Sequence, residues 1–149
     1  MIADEHAGLA AAVHRFLPEA RGQRCTVHLQ RNVWARVPHR LRKRVAREVS
    51  VIFQASGLAE AKKLLAEFGA RWKKELPEAV EVLERGFGAA TQFYAFPEAH
   101  WPRLRTTNSL ERLHGEIKRR IKAAGAFPDR ASALRLITAV ALKTTHVWG

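Results

Sequence analysis

The feature that most constrains the fold is a 3-4 spacing of apolar side chains. It recurs, punctuated by prolines, through most of the chain. Over residues 40–53 it places Leu41, Val45, Val49, Ile52 and Phe53 on one side of a helix. Residues 58–76 repeat it with Leu58, Ala61, Leu64, Leu65, Phe68 and Trp72, and residues 108–121 with Leu110, Leu113, Ile117 and Ile121. Further helices are predicted over 5–16, 29–37, from Pro77 toward Phe96, and over 129–147. Pro18 and Pro38 stop helices, while Pro77 suits a first turn. Gly86 and Gly88 are expected to weaken the middle of their helix. Only Gln23–His28 reads as a strand, being short and partly β-branched. Residues 97–107 read as an irregular linker. The fold class predicted is mainly α, with at most one or two short strands.

Charge points to the partner. The chain has 149 residues, with 26 Lys and Arg against 14 Asp and Glu, a formal net charge of +12. The excess is confined to two blocks. Residues 15–47 hold ten basic side chains against Glu19 alone, a net +9, and residues 103–122 hold seven against Glu111 and Glu116, a net +5. Residues 48–102 carry a net −2. Charge spread for solubility has no reason to gather in blocks, so a polyanion is the expected partner; solvated helix faces are the other reading. At 47% apolar residues the chain is too hydrophobic for a disordered basic tail. No apolar run long enough for a membrane span and no secretory leader is readable, so a cytoplasmic, membrane-free protein is expected. Cys25 is the only cysteine, which excludes an internal disulfide and a Cys-only zinc cluster.

Four groups of residues are candidates for chemistry. Asp4, just before a predicted helix, reads locally as a cap. Cys25-x-x-His28 has the spacing of half a zinc site, but no second Cys completes it; Cys25 also suits a small core position, with His28 leading into the next helix. Asn108 with Glu111 forms a capping box, and periodicity puts Glu111 at the margin of the apolar stripe, where it can face a cleft. Arg103, Arg105, Arg112, Lys118, Arg119, Arg120 and Lys122 cluster around that carboxylate. Arginine forks suit phosphate, and a nearby carboxylate suits a metal ion. The combination fits an enzyme acting on a phosphodiester, and fits a non-catalytic DNA-binding helix too.

Several strings in the chain resemble mutator-type transposases of bacterial insertion sequences. Ala3-Asp4-Glu5-His6-Ala7-Gly8-Leu9 resembles the stretch carrying the family's second catalytic Asp. Arg24-Cys25-Thr26-Val27-His28-Leu29-Gln30-Arg31-Asn32-Val33 resembles the block that follows it, and Phe96-Pro97-Glu98-Ala99-His100-Trp101 resembles the family's linker. Thr106-Thr107-Asn108-Ser109-Leu110-Glu111-Arg112-Leu113-His114-Gly115-Glu116 is similar to the signature around the catalytic Glu. The motifs span nearly the whole chain in the family's order.

The resemblance implies an RNase H-like α/β core with an Asp-Asp-Glu triad and an all-helical insertion. It implies residues 1–36 as a core remnant, 37–102 as the insertion and 103–149 as the core helices carrying the Glu. Asp4 and Glu111, 107 positions apart, would be the second and third acids and would ligate Mg²⁺. Cys25, His28 and Asn108 would support the site, and the seven basic residues would bind transposon ends and target DNA. The family's first Asp belongs on an upstream strand with no counterpart here. The expectation is therefore the C-terminal part of a transposase, silent alone in DNA recombination, with exposed apolar faces that favour self-association or pairing with a full-length transposase. A non-catalytic DNA-binding protein, a transposase-interacting protein and a zinc module are the alternatives.

Overall fold

A computed structural model describes residues 1–4 and 7–146. The predicted helix ends at Glu5 and Val147 lie outside the described residues. The chain divides into two compact units, Met1–Thr107 and Asn108–Gly149.

The first unit opens with β1 (Ile2–Ala3), α1 (Ala7–Phe16) and β2 (Gln23–Arg24). The strands pair in parallel, Ile2 opposite Gln23 and Ala3 opposite Arg24. Parallel neighbours cannot be joined by a tight turn, and α1 supplies the crossover. Then follow α2 (Thr26–Trp34), α3 (His39–Ile52), α4 (Leu58–Trp72) and α5 (Pro77–Ala90). Two 3-10 turns, Gln92–Ala95 and Glu98–His100, lead to the short α6 (Trp101–Leu104). The second unit is a helical hairpin, α7 (Asn108–Ala124) and α8 (Arg130–His146). Gly125 ends α7 with φ 72°, the left-handed conformation that glycine adopts without a Cβ clash.

The core lies between α2, α3, α4 and α5. Leu29, Val33, Val45, Val49, Ile52, Val80 and Leu83 are all at most 1% exposed. Each such side chain contributes about 1.5–3 kcal/mol of apolar burial. Phe68 and Trp72 from α4 and Phe87 from α5 close the cluster. The 3-4 pattern therefore does what it predicts from α2 to α5. It does less elsewhere: Leu9 and Phe16 on α1 and Leu134 and Leu142 on α8 stay exposed, and no residue of α7 is buried.

Three local expectations are corrected. The strand expected over Gln23–His28 ends at Arg24, and Cys25 is already the residue before α2. The Thr26 N–H bonds the Arg105 carbonyl at 2.9 Å, a long-range partner that lets a helix begin among β-branched residues. The expected linker over 97–107 is largely helical turns. Pro102 sits in the first turn of α6, where a missing N–H costs nothing, and Trp101 packs edge-on against Tyr94, centroids 4.8 Å apart. Gly86 is a packing requirement: a Cβ there would lie 2.5 Å from Leu29 Cδ1 and 2.7 Å from Arg24 Nη1.

Candidate functional site

The carboxyl end of the parallel pair carries two of the candidate residues, Asp4 and Cys25. In open parallel sheets this is the end that faces ligands. Asp4 follows β1 directly and is exposed. Cys25 follows β2, and its N–H donates to the Ala3 carbonyl at 2.8 Å. Asp4 and Cys25 are thus the residues that next follow the paired Ala3 and Arg24. Asp4 also lines an open, mainly apolar cleft of about 560 Å³, with Leu9 and Val13 of α1, Arg24 of β2 and Arg85 of α5.

The pair is anchored from below by Gln23, a polar side chain only 6% exposed. Its Nε2 donates to the Ala90 carbonyl at 2.8 Å, and its Oε1 accepts the Phe93 N–H at 2.8 Å. These bonds satisfy backbone groups that the end of α5 would otherwise leave orphaned, and they tie β2 to the turn that follows.

The start of α2 holds the segment before α7. The Thr26 N–H and its Oγ1 both donate to the Arg105 carbonyl at 2.9 Å. The fully buried Cys25 Sγ accepts from the Thr107 N–H at 3.4 Å and from Thr107 Oγ1 at 3.3 Å. Burial pushes the Cys25 thiol up, but hydrogen bonds from Thr107 and His28 outweigh it and leave the thiol below its ordinary value. Cys25 and Thr26 thus act on the residues that precede the helix carrying Glu111. Thr26 and Thr107 fall within the family-like strings, but the sequence does not show what their hydroxyls bind. The spacing of Cys25 and His28 suggests a metal, whereas Cys25 takes hydrogen bonds from His28 and from Thr107, the latter a partner that only long-range structure reveals.

Glu111 is exposed in the first turn of α7, which begins at Asn108. The basic residues near it differ in availability. Arg103, Arg112, Lys118 and Lys122 are exposed. Arg105 is half-buried, its Nη1 directed at the Phe53 carbonyl at 3.5 Å. Arg119 and Arg120 both bind Glu116, each at 2.7 Å. The two guanidinium groups bring the Glu116 carboxyl down to about 2. That cluster still carries a net positive charge, with one carboxylate shared between two arginines.

Among the described residues no three His, Cys, Asp or Glu side chains gather as a metal site. Asp4 and Glu111 offer oxygen donors, which suit Mg²⁺ in kind, but two carboxylates are short of a full ligand set. Among the described residues no helix is long and apolar enough to cross a membrane.

The whole chain, residues 1–149, matches the family described as transposases of the Mutator family. The transposase for insertion sequence element IS406 of Burkholderia multivorans is 41% identical over 149 residues, covering 99% of this chain and 38% of that protein. The transposase for ISRM5 of Rhizobium meliloti is 35% identical over 148 residues, covering 99% of this chain and 37% of that protein. The transposase for IS256 in transposon Tn4001 of Staphylococcus aureus is 34% identical over 152 residues, covering 99% and 38%. The chain thus spans well under half the length of these relatives. By the family match over all of its residues, the chain belongs to the mutator family of transposases.

Proposed function

We propose that this chain is the portion of an insertion-sequence transposase that carries the second and third acids of a metal-binding triad, acting in phosphoryl transfer on DNA. The RNase H-like origin of the β1-α1-β2 unit, with α3 to α5 as a helical insertion, belongs to the same reading. The observation that supports it is Cys25, which directly follows β2 and whose Sγ accepts from the Thr107 N–H and Oγ1, tying the segment just before α7 to the end of the parallel pair that Asp4 also follows.

Asp4 and Glu111 would hold Mg²⁺, which when bound polarises the scissile phosphate and favours the attacking oxygen. The chain's own residues do the rest. Cys25 and Thr26 fix where α7 begins. Arg103, Arg112, Lys118 and Lys122 neutralise and position the DNA backbone, as do the arginines sharing Glu116. Transposon ends and target DNA are the proposed partners.

The test is the affinity of the purified chain for duplex DNA with and without Mg²⁺. The proposal expects tighter binding with Mg²⁺, with the difference abolished by Asp4→Asn and by Glu111→Gln while metal-free binding persists. Binding that depends on salt but not on Mg²⁺ would instead establish a non-catalytic DNA-binding protein.

A further inference from the structure

The basic residues of α3, in the larger of the two basic blocks, have no part in the site described so far, and the helix orders them into a ridge. Arg40, Lys43, Arg44 and Arg47 fall at i, i+3, i+4 and i+7, a single stripe of the helix. All four are exposed, with 76% of the Arg40 side chain and 63% of Arg44 open to solvent. Val45, Val49 and Ile52 face away from the stripe and are buried, so packing holds its orientation.

The acids that face this ridge are already engaged. Glu75 meets Arg40 at 3.2 Å. Glu48 accepts Arg44 at 3.3 Å, Arg71 at 3.0 Å and Trp72 Nε1 at 2.9 Å. The Arg44 guanidinium also lies over the Trp72 ring, 5.0 Å from its centroid, which keeps it extended along the surface. Lys43 and Arg47 have no acidic partner among the described residues. On the flanks Arg36 and Arg42 donate to the carbonyls of Asn32 and Val37. Other surface helices of this unit mix signs: α4 sets Lys62 and Lys63 among Glu60 and Glu67.

Like charges at i and i+4 repel. Arg40 and Arg44 are offset by Glu75 and Glu48, whereas Lys43 with Arg47 works against the helix unless a polyanion lies over them. From Arg40 to Arg47 the stripe rises about 10 Å, the length of about three phosphates of one strand of B-form DNA. The stripe is made of arginine and lysine alone, whose forks and charge suit phosphate oxygens.

We propose that the α3 ridge is a second DNA-contact surface, besides the basic residues of α7, that grips the phosphate backbone. It rests on the proposal that DNA is the substrate of this chain. The experiment is fluorescence anisotropy of the full chain with a labelled duplex, at salt from about 50 to 200 mM, the range over which phosphate contacts dominate. The altered chain carries Lys43→Gln and Arg47→Gln. A control carries Lys62→Gln and Lys63→Gln, the same loss of charge at the far end of α4 from Arg71. A third carries Arg112→Gln and Lys118→Gln. Melting curves confirm that each is folded, as expected for exposed positions.

Two lost contacts should lower the slope of log affinity against log salt by about 1.8, with a shuffled duplex affected equally. The control should keep the slope of the unaltered chain. An unchanged slope in the α3 variant, or an equal fall in the control, overturns the ridge as a contact surface. If the α7 variant loses affinity while the α3 variant does not, only the present inference fails. If the unaltered chain binds no duplex, the underlying functional proposal fails with it.

Discussion

Gly86→Ala is a sharp test of the packing that carries the site. On an exposed helix this change stabilises by about 1 kcal/mol, since glycine is the poorest helix former after proline. Here the new methyl carbon would stand 2.5 and 2.9 Å from the two Leu29 methyls and 2.7 Å from Arg24 Nη1. Leu29 is fully buried and Arg24 only 8% exposed, so neither side chain has free space to swing into. Overpacking of this kind costs about 1–3 kcal/mol. Three contacts under 3 Å place this site toward the upper end. The net expectation is destabilisation by about 1–2 kcal/mol, a fall in Tm of about 4–8 °C for a unit of this size. Gly88, two residues on, has no atom within 4 Å of the place a methyl would take, so Gly88→Ala should stabilise by up to about 1 kcal/mol. Thermal melts of both variants beside the parent check the pair. A Gly86→Ala chain as stable as the parent would refute the close approach of α5 to the start of α2.

Other expectations follow from the same contacts. Gln23→Leu leaves the Ala90 carbonyl and the Phe93 N–H without their partner; the loss should be about 2–4 kcal/mol in a urea melt, given about 1–3 kcal/mol per orphaned buried group. Cys25→Ala removes the acceptor of two Thr107 bonds, so the Thr107 amide should exchange with solvent faster while amides in the middle of α3 do not change. The Glu116 carboxyl, held by Arg119 and Arg120, should titrate near 2 by NMR instead of near 4.5. Because its folded value is depressed, the stabilisation it gives α7 is present above about 4.5 and is lost as pH falls through about 2. A midpoint near 4.5 would show that the two arginines are free.

The helices α3, α4, α5, α7 and α8 are legible in the sequence because their apolar residues repeat at 3-4 spacing, a local signal. β1 is not, because two residues become a strand only by pairing with Gln23 and Arg24 some twenty positions away. The same cause hides the helix start at Cys25–His28: β-branched residues suggest extended chain, yet Thr26 gains an acceptor at Arg105 and starts a helix. Pro97 and Pro102 suggest a linker, and the aromatic packing of Trp101 on Tyr94 converts it to ordered turns. In the site, the acids and cations are visible by motif and charge. Thr26 and Thr107 sit inside those motifs too, but their role is not visible, since hydroxyls in a sequence do not announce which sulfur or carbonyl they will meet.

Whether one ion is shared by Asp4 and Glu111 is decided by paramagnetic broadening. Mn²⁺ added to the isotopically labelled chain at a small fraction of its concentration relaxes nuclei near its binding site. The account predicts that the amides around Asp4, Cys25 and Glu111 broaden together, and that either Asp4→Asn or Glu111→Gln abolishes the effect at both places. Broadening at one acid that survives loss of the other would contradict it.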